Sequence, residues 1–67
     1  MISVNGEPSA LAPGETVVAL LALMGLEAQT RGVAVAVDGE VVPRVQWSTF
    51  AVADGARVEV LRAMQGG

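Results

Sequence analysis

The 67-residue sequence ends Gln65, Gly66, Gly67, and the group there with chemistry to offer is the α-carboxylate of Gly67. With a reference pKa of about 3.5 it is ionised at neutral pH and is a poor electrophile. It reacts only if activated from outside. Adenylation by ATP converts one carboxylate oxygen into a leaving group, after which a sulfur or nitrogen nucleophile can take the acyl carbon. Glycine suits such a tail because it lacks a Cβ, so its backbone can thread a channel too narrow for a side chain. Three extended residues reach about 10 Å, enough to enter another protein's active site while the body stays outside. Taken alone, a closing glycine pair favours a frayed end or a cloning scar, so its setting must decide.

The rest of the chain holds little that could run a reaction. Cysteine and histidine are absent, which removes the thiolate, the usual general base and the commonest transition-metal ligand. All four basic residues are arginine, against seven carboxylates, for a formal charge of -3. That balance is the opposite of a nucleic-acid footprint and predicts partners with basic or mixed surfaces. No intrinsic catalytic site, metal or cofactor is expected. The longest apolar run, residues 17–26, is broken by Gly25 and falls short of the roughly 20 residues of a bilayer span. The first nine residues lack a basic segment leading into an apolar one, so no secretory signal is expected. Cytoplasm is the default location.

The tail needs a rigid base, and the alternating run over residues 56–64 predicts one. It places Val58, Val60, Arg62 and Met64 on one face of a strand and Arg57, Glu59, Leu61 and Ala63 on the other. Earlier, Asn5-Gly6 is a strong hairpin signal, because a type I′ turn needs positive φ at both central positions. It joins a first strand over 1–4 to a return strand over 7–11, with Pro8 marking an edge. Thr16 can cap a helix over 17–24 whose Val17, Leu20, Leu21 and Met24 share one face. Gly25 is placed for a left-handed C′ position, with Leu26 folding back onto the last turn.

A polar connection over 27–31 leads to a strand over 32–37. Val33, Val35 and Val37 line one face of it, and the small Ala34 and Ala36 on the other predict a close neighbour. Asp38-Gly39 turns the chain into a strand over 40–42 that Pro43 ends. Residues 44–50 carry both aromatics, Trp47 and Phe50, in a compact irregular crossover. Asp54-Gly55 then turns into the last strand. Two strands, one helix and two or three more strands predict an α+β fold, a mixed sheet of four to five strands with one main helix on one face. The order points to a ubiquitin-like β-grasp, with first and last strands parallel and adjacent. Residues 1–64 form the expected β-grasp domain and 65–67 a flexible tail.

Nearly end to end, the sequence resembles the small sulfur-carrier proteins of thiamine biosynthesis. The resemblance rests on the block RGVAVAVDGEVVPRVQW (residues 31–47), above all Val42, Pro43, Arg44 and Trp47. Asp54 and Gly55 add to it, as does the ending from Val58 through Gln65, Gly66 and Gly67. Asp38, Ala56 and Met64 depart from the usual pattern without touching the proposed chemistry. The resemblance implies that the Gly67 carboxylate is adenylated by a ubiquitin-activating-like adenylyltransferase using ATP. It is then converted to a thiocarboxylate with sulfur from a cysteine desulfurase or sulfurtransferase, and a thiazole synthase accepts that sulfur. The chain would be carrier and substrate rather than enzyme.

Leu61, Arg62, Met64 and Arg44 are candidates for partner contact. General burial tendencies instead make Pro43 and Trp47 structural, one stopping a strand and the other closing an aromatic-poor core. They make Arg44 a solvated or carboxylate-paired surface residue. Two alternatives to a thiazole carrier remain. One is a sulfur carrier for molybdopterin or cysteine synthesis, against which the VPRVQW block argues. The other is a ubiquitin-like modifier or interaction module.

Overall fold

The computed structural model describes residues 1–27 and 31–62. Strands β1 (Ser3–Val4) and β2 (Glu7–Pro8) lead into helix α1 (Val17–Leu23), followed by β3 (Val33–Val37), β4 (Glu40–Val42), a 3-10 turn (Arg44–Gln46) and β5 (Arg57–Arg62). The sheet order is β2-β1-β5-β3-β4. β5 runs parallel to β1, with Ser3 opposite Arg57 and Val4 opposite Val58. It runs antiparallel to β3 from Val33 opposite Arg62 to Val37 opposite Val58. A five-stranded mixed sheet with first and last strands adjacent at its middle and one helix across a face is the ubiquitin-like β-grasp.

Local chemistry accounts for the connections. Asn5 and Asp38 are the two non-glycine residues described with positive φ, at 53° and 50°, and glycines at 84° and 86° follow them. Both hairpins therefore close through type I′ geometry, whose twist matches that of the strands. The Thr16 hydroxyl accepts from the Ala19 N–H at 3.3 Å, supplying one of the bonds a helix start lacks. At the other end Gly25 has φ 77°. Leu26 N donates to Leu21 O at 2.8 Å and Gly25 N to Ala22 O at 3.0 Å, the bond pair of a Schellman ending. Helix α1 has only 7 residues, too short to persist without packing.

Packing comes from Val17, Leu20 and Leu21, which are buried against Ile2, Val35, Val37, Val42, Trp47, Val52, Val58 and Val60. No polar or charged side chain is buried among the described residues. The crossover is tied to the helix entrance by Val17 N to Phe50 O and Val18 N to Trp47 O, each 3.1 Å. The irregular stretch after β4 thus holds the N-terminal end of α1.

Several expectations need correction. The return strand ends at Pro8 rather than Leu11, because the Ser9 hydroxyl accepts from the Leu11 N–H at 3.1 Å and this local turn competes with the ladder. Leu11 is swung into the core instead. The helix ends one residue early, at Leu23, with Met24 as its cap. Opposite the helix, Ala34 is exposed and Ala36 partly so, so no described residue covers these small side chains fully. β3 starts at Val33 and the first strand at Ser3. The expected strand positions 63 and 64, the tail over 65–67 and part of the 27–31 connection lie outside the described residues.

Candidate functional site

β4 and β5 are each antiparallel to β3, so they run in the same direction and leave the sheet at the same end. Val42 and Val60 lie on either side of Val35 in one row. Arg44 and Arg62 are each two residues past that row. Three of the four predicted partner-contact residues, Leu61, Arg62 and Arg44, therefore gather at the end of the sheet from which the chain continues toward Gly67. The fourth, Met64, lies outside the described residues, as do Gln65, Gly66 and Gly67.

Leu61 and Arg62 face opposite ways. Arg62 pairs with Val33 on the helix side and is exposed at the sheet's rim. Leu61 pairs with Ala34 on the open side and keeps 64% of its surface exposed. Alongside, Ala36 sits between Glu59 and Val41, and Val41 is 73% exposed. The small alanines leave these larger side chains standing above a shallow apolar strip flanked by Glu59 and Arg57. A one-sided antiparallel sheet normally carries polar residues outward, and exposed Leu61 and Val41 depart from that pattern.

Arg44 is placed by an aromatic contact that sequence reasoning missed. Its guanidinium lies 4.4 Å from the Trp47 ring centroid, a cation-π geometry worth about 0.5–1 kcal/mol near a surface. Trp47 is 2% exposed, and its indole N–H donates to Val42 O at 2.9 Å. The ring thereby joins the end of β4 to the core and braces the arginine above it. Pro43 precedes the 3-10 turn with φ -59°, consistent with ending the strand.

Two turn residues also do more than turn. The Asp38 carboxylate accepts from Arg57 N at 2.9 Å, and the Asn5 carboxamide pairs with both backbone groups of Val60. These side chains hold the start and the later part of β5. The available signal was an Asn or Asp in a two-residue turn, whose short polar side chain bonds nearby backbone. Its distant partner could not be read from spacing.

Little in this region could perform catalysis. No cluster of three metal-ligating side chains occurs among the described residues. The Asp54 carboxyl is held below its ordinary 3.8 by the hydrogen bond and charge of the Met1 ammonium, 2.7 Å away on the surface. The arrangement offers a braced last strand beside the exposed Leu61 and Val41. No described helix is long and apolar enough to cross a membrane.

The ThiS family profile matches residues 2–67. The chain belongs to the ThiS family. The crystal structure of the thiamine biosynthesis protein ThiS from Geobacter metallireducens is 38% identical, with a TM-score of 0.77 over 98% of this chain and 97% of that one. The solution NMR structure of a thiamine biosynthesis protein from the same organism is 37% identical, with a TM-score of 0.76 over 98% of this chain and 86% of that one. No protein of curated function matches at a significant level. Both ThiS likenesses extend over nearly the whole β-grasp, so the fold is shared across the sheet and helix rather than through one motif.

Proposed function

We propose that this chain is a sulfur carrier in thiamine biosynthesis, serving formation of the thiazole ring, and that the carboxylate of Gly67 is its working group. The observation that carries the reading is the family match running through residue 67, which includes the glycine tail along with the fold. In the first step a carboxylate oxygen attacks the α-phosphorus of ATP and pyrophosphate leaves. A persulfide sulfur, derived from cysteine through a desulfurase or sulfurtransferase, then attacks the acyl carbon and AMP leaves. A thiol reductant cleaves the resulting acyl disulfide to the thiocarboxylate, which gives its sulfur to a thiazole synthase. Without Cys, His or Lys, the chain supplies the carboxylate and the surface, and partners supply the catalysis.

The decisive experiment is intact mass after incubation with ATP, a ubiquitin-activating-like enzyme and a sulfur source. The expected result is a shift equal to replacement of one carboxylate oxygen by sulfur. An isopeptide bond to a partner lysine would instead identify a protein modifier. Tail length sharpens the test, because misplacing the reacting atom by about 1 Å can cost ~10²-fold in rate. Deleting Gly67 or appending alanine moves the carboxylate by about 3.8 Å, and Gly66→Val adds a branched side chain. All three should abolish ATP-pyrophosphate exchange while changing stability by less than about 0.5 kcal/mol. Wild-type turnover by the variant lacking Gly67 overturns the carrier reading.

A further inference from the structure

The backbone pairing between β1 and β5 stops early. Ser3 N donates to Ala56 O at 3.0 Å and Asn5 N to Val58 O at 2.8 Å, the spacing of a parallel ladder. The next rung would take the carbonyl of residue 5 and the N–H of residue 7 to Val60. Asn5 instead enters the turn with φ 53°, and the chain doubles back into β2. Its side chain supplies the missing rung: Val60 N donates to Asn5 Oδ1 at 2.9 Å, and Asn5 Nδ2 donates to Val60 O at 3.2 Å. The carboxamide thus stands in for a peptide group, and only a residue with both donor and acceptor can do so.

This rung lies where β5 is otherwise braced on one side alone. From Glu59 to Arg62 the strand pairs with β3, while the backbone register with β1 ends at Val58. Arg62 is the last described residue of the strand, on the side toward Gly67. We propose that Asn5 is a positioning residue whose carboxamide fixes the end of β5, and so the direction in which the reactive C-terminal segment departs relative to the open face of the sheet. The proposal rests on the carrier reading for its functional part. Its structural part stands apart from that reading.

Two substitutions isolate the carboxamide, since both Gly and Asp adopt the left-handed conformation of a type I′ turn. Asn5→Gly removes both bonds. Asn5→Asp keeps the acceptor but sets a carboxylate oxygen against Val60 O. Amide exchange in the whole chain should be about tenfold faster at Val60 in Asn5→Gly, the scale of one lost hydrogen bond, and less affected in Asn5→Asp, which keeps the acceptor for the Val60 N–H. Val35, paired on both sides within the core, should keep its protection relative to global unfolding. Unchanged exchange at Val60 in Asn5→Gly, or an equal change at Val35, overturns the positioning role.

The functional measurement is ATP-pyrophosphate exchange with the activating enzyme, run well below each variant's Tm. A purely structural defect lowers the concentration of folded carrier and raises the apparent KM at constant kcat. A misdirected tail still docks, so kcat should fall about tenfold or more with KM within about twofold. Wild-type kcat in Asn5→Gly, or a change in KM alone, overturns the proposal. If the wild-type chain itself is not adenylated, the carrier reading fails, and Val60 exchange still decides whether Asn5 holds the strand.

Discussion

The two faces of β5 differ sharply in exposure. On one, Val58 and Val60 are buried beneath the helix. On the other, one residue further on, Leu61 stands open to solvent. Both faces carry apolar residues, so hydrophobicity alone does not tell them apart. What separates them is the single helix, which can cover only one side. The covered face pays for the fold, and the open face keeps Leu61 in solvent.

The comparison predicts a graded series of stability effects. A 67-residue chain has a total stability of about 3–10 kcal/mol, so the covered side is easily broken. Trp47→Ala removes a buried ring and its bond to Val42 O, and should cost about 3–5 kcal/mol, enough to lose the cooperative transition in thermal or denaturant melts. Leu21→Ala, beneath the helix, should cost about 2–5 kcal/mol. The helix ends come next: Thr16→Ala should cost about 1 kcal/mol through the lost cap. Gly25→Ala should cost about 1–2 kcal/mol through its positive φ, since an added Cβ there meets no atom within 4 Å.

On the open side, Leu61→Arg should change stability by less than about 0.5 kcal/mol while slowing adenylation. Equal loss of both, or loss of neither, would return Leu61 to ordinary packing and dissolve the distinction between the faces. The smallest effect belongs to the exposed Met1–Asp54 contact. Its carboxyl is held below 3.8 when folded, so its contribution is present above that pH and disappears as pH falls through the folded value. Asp54→Asn should therefore leave the melting temperature near neutrality almost unaltered, and any difference from wild type should vanish in acid.

Much of this architecture was legible because its signals are local. A two-residue turn with Asn-Gly or Asp-Gly, a Thr before a helical period and a Gly after it each act within a few residues. The parallel neighbours β1 and β5 followed from element order. Harder to read were side chains whose partners lie far along the chain. Asn5 reaches Val60 across 55 positions, which no spacing rule anticipates. The return strand was overextended because Ser9 was read as a strand residue, when its hydroxyl bends the chain and sends Leu11 inward. Small residues such as Ala34 and Ala36 on one face of a strand predict a close neighbour. On a sheet with one covering layer their small size instead lets Leu61 and Val41 protrude.

The central place of β5 also governs when the fold can form during synthesis. As the chain emerges from a ribosome, the β1-β2 hairpin, the helix and the β3-β4 hairpin are all available before Arg57 appears. No strand pairing links the two hairpins until β5 enters between them, since β1 and β3 each meet it and not each other. The nascent chain must wait for its final strand, with contacts of long sequence separation that slow closure. Until that strand arrives, β1 and β3 each keep an unpaired edge, the kind of edge that invites pairing with other chains.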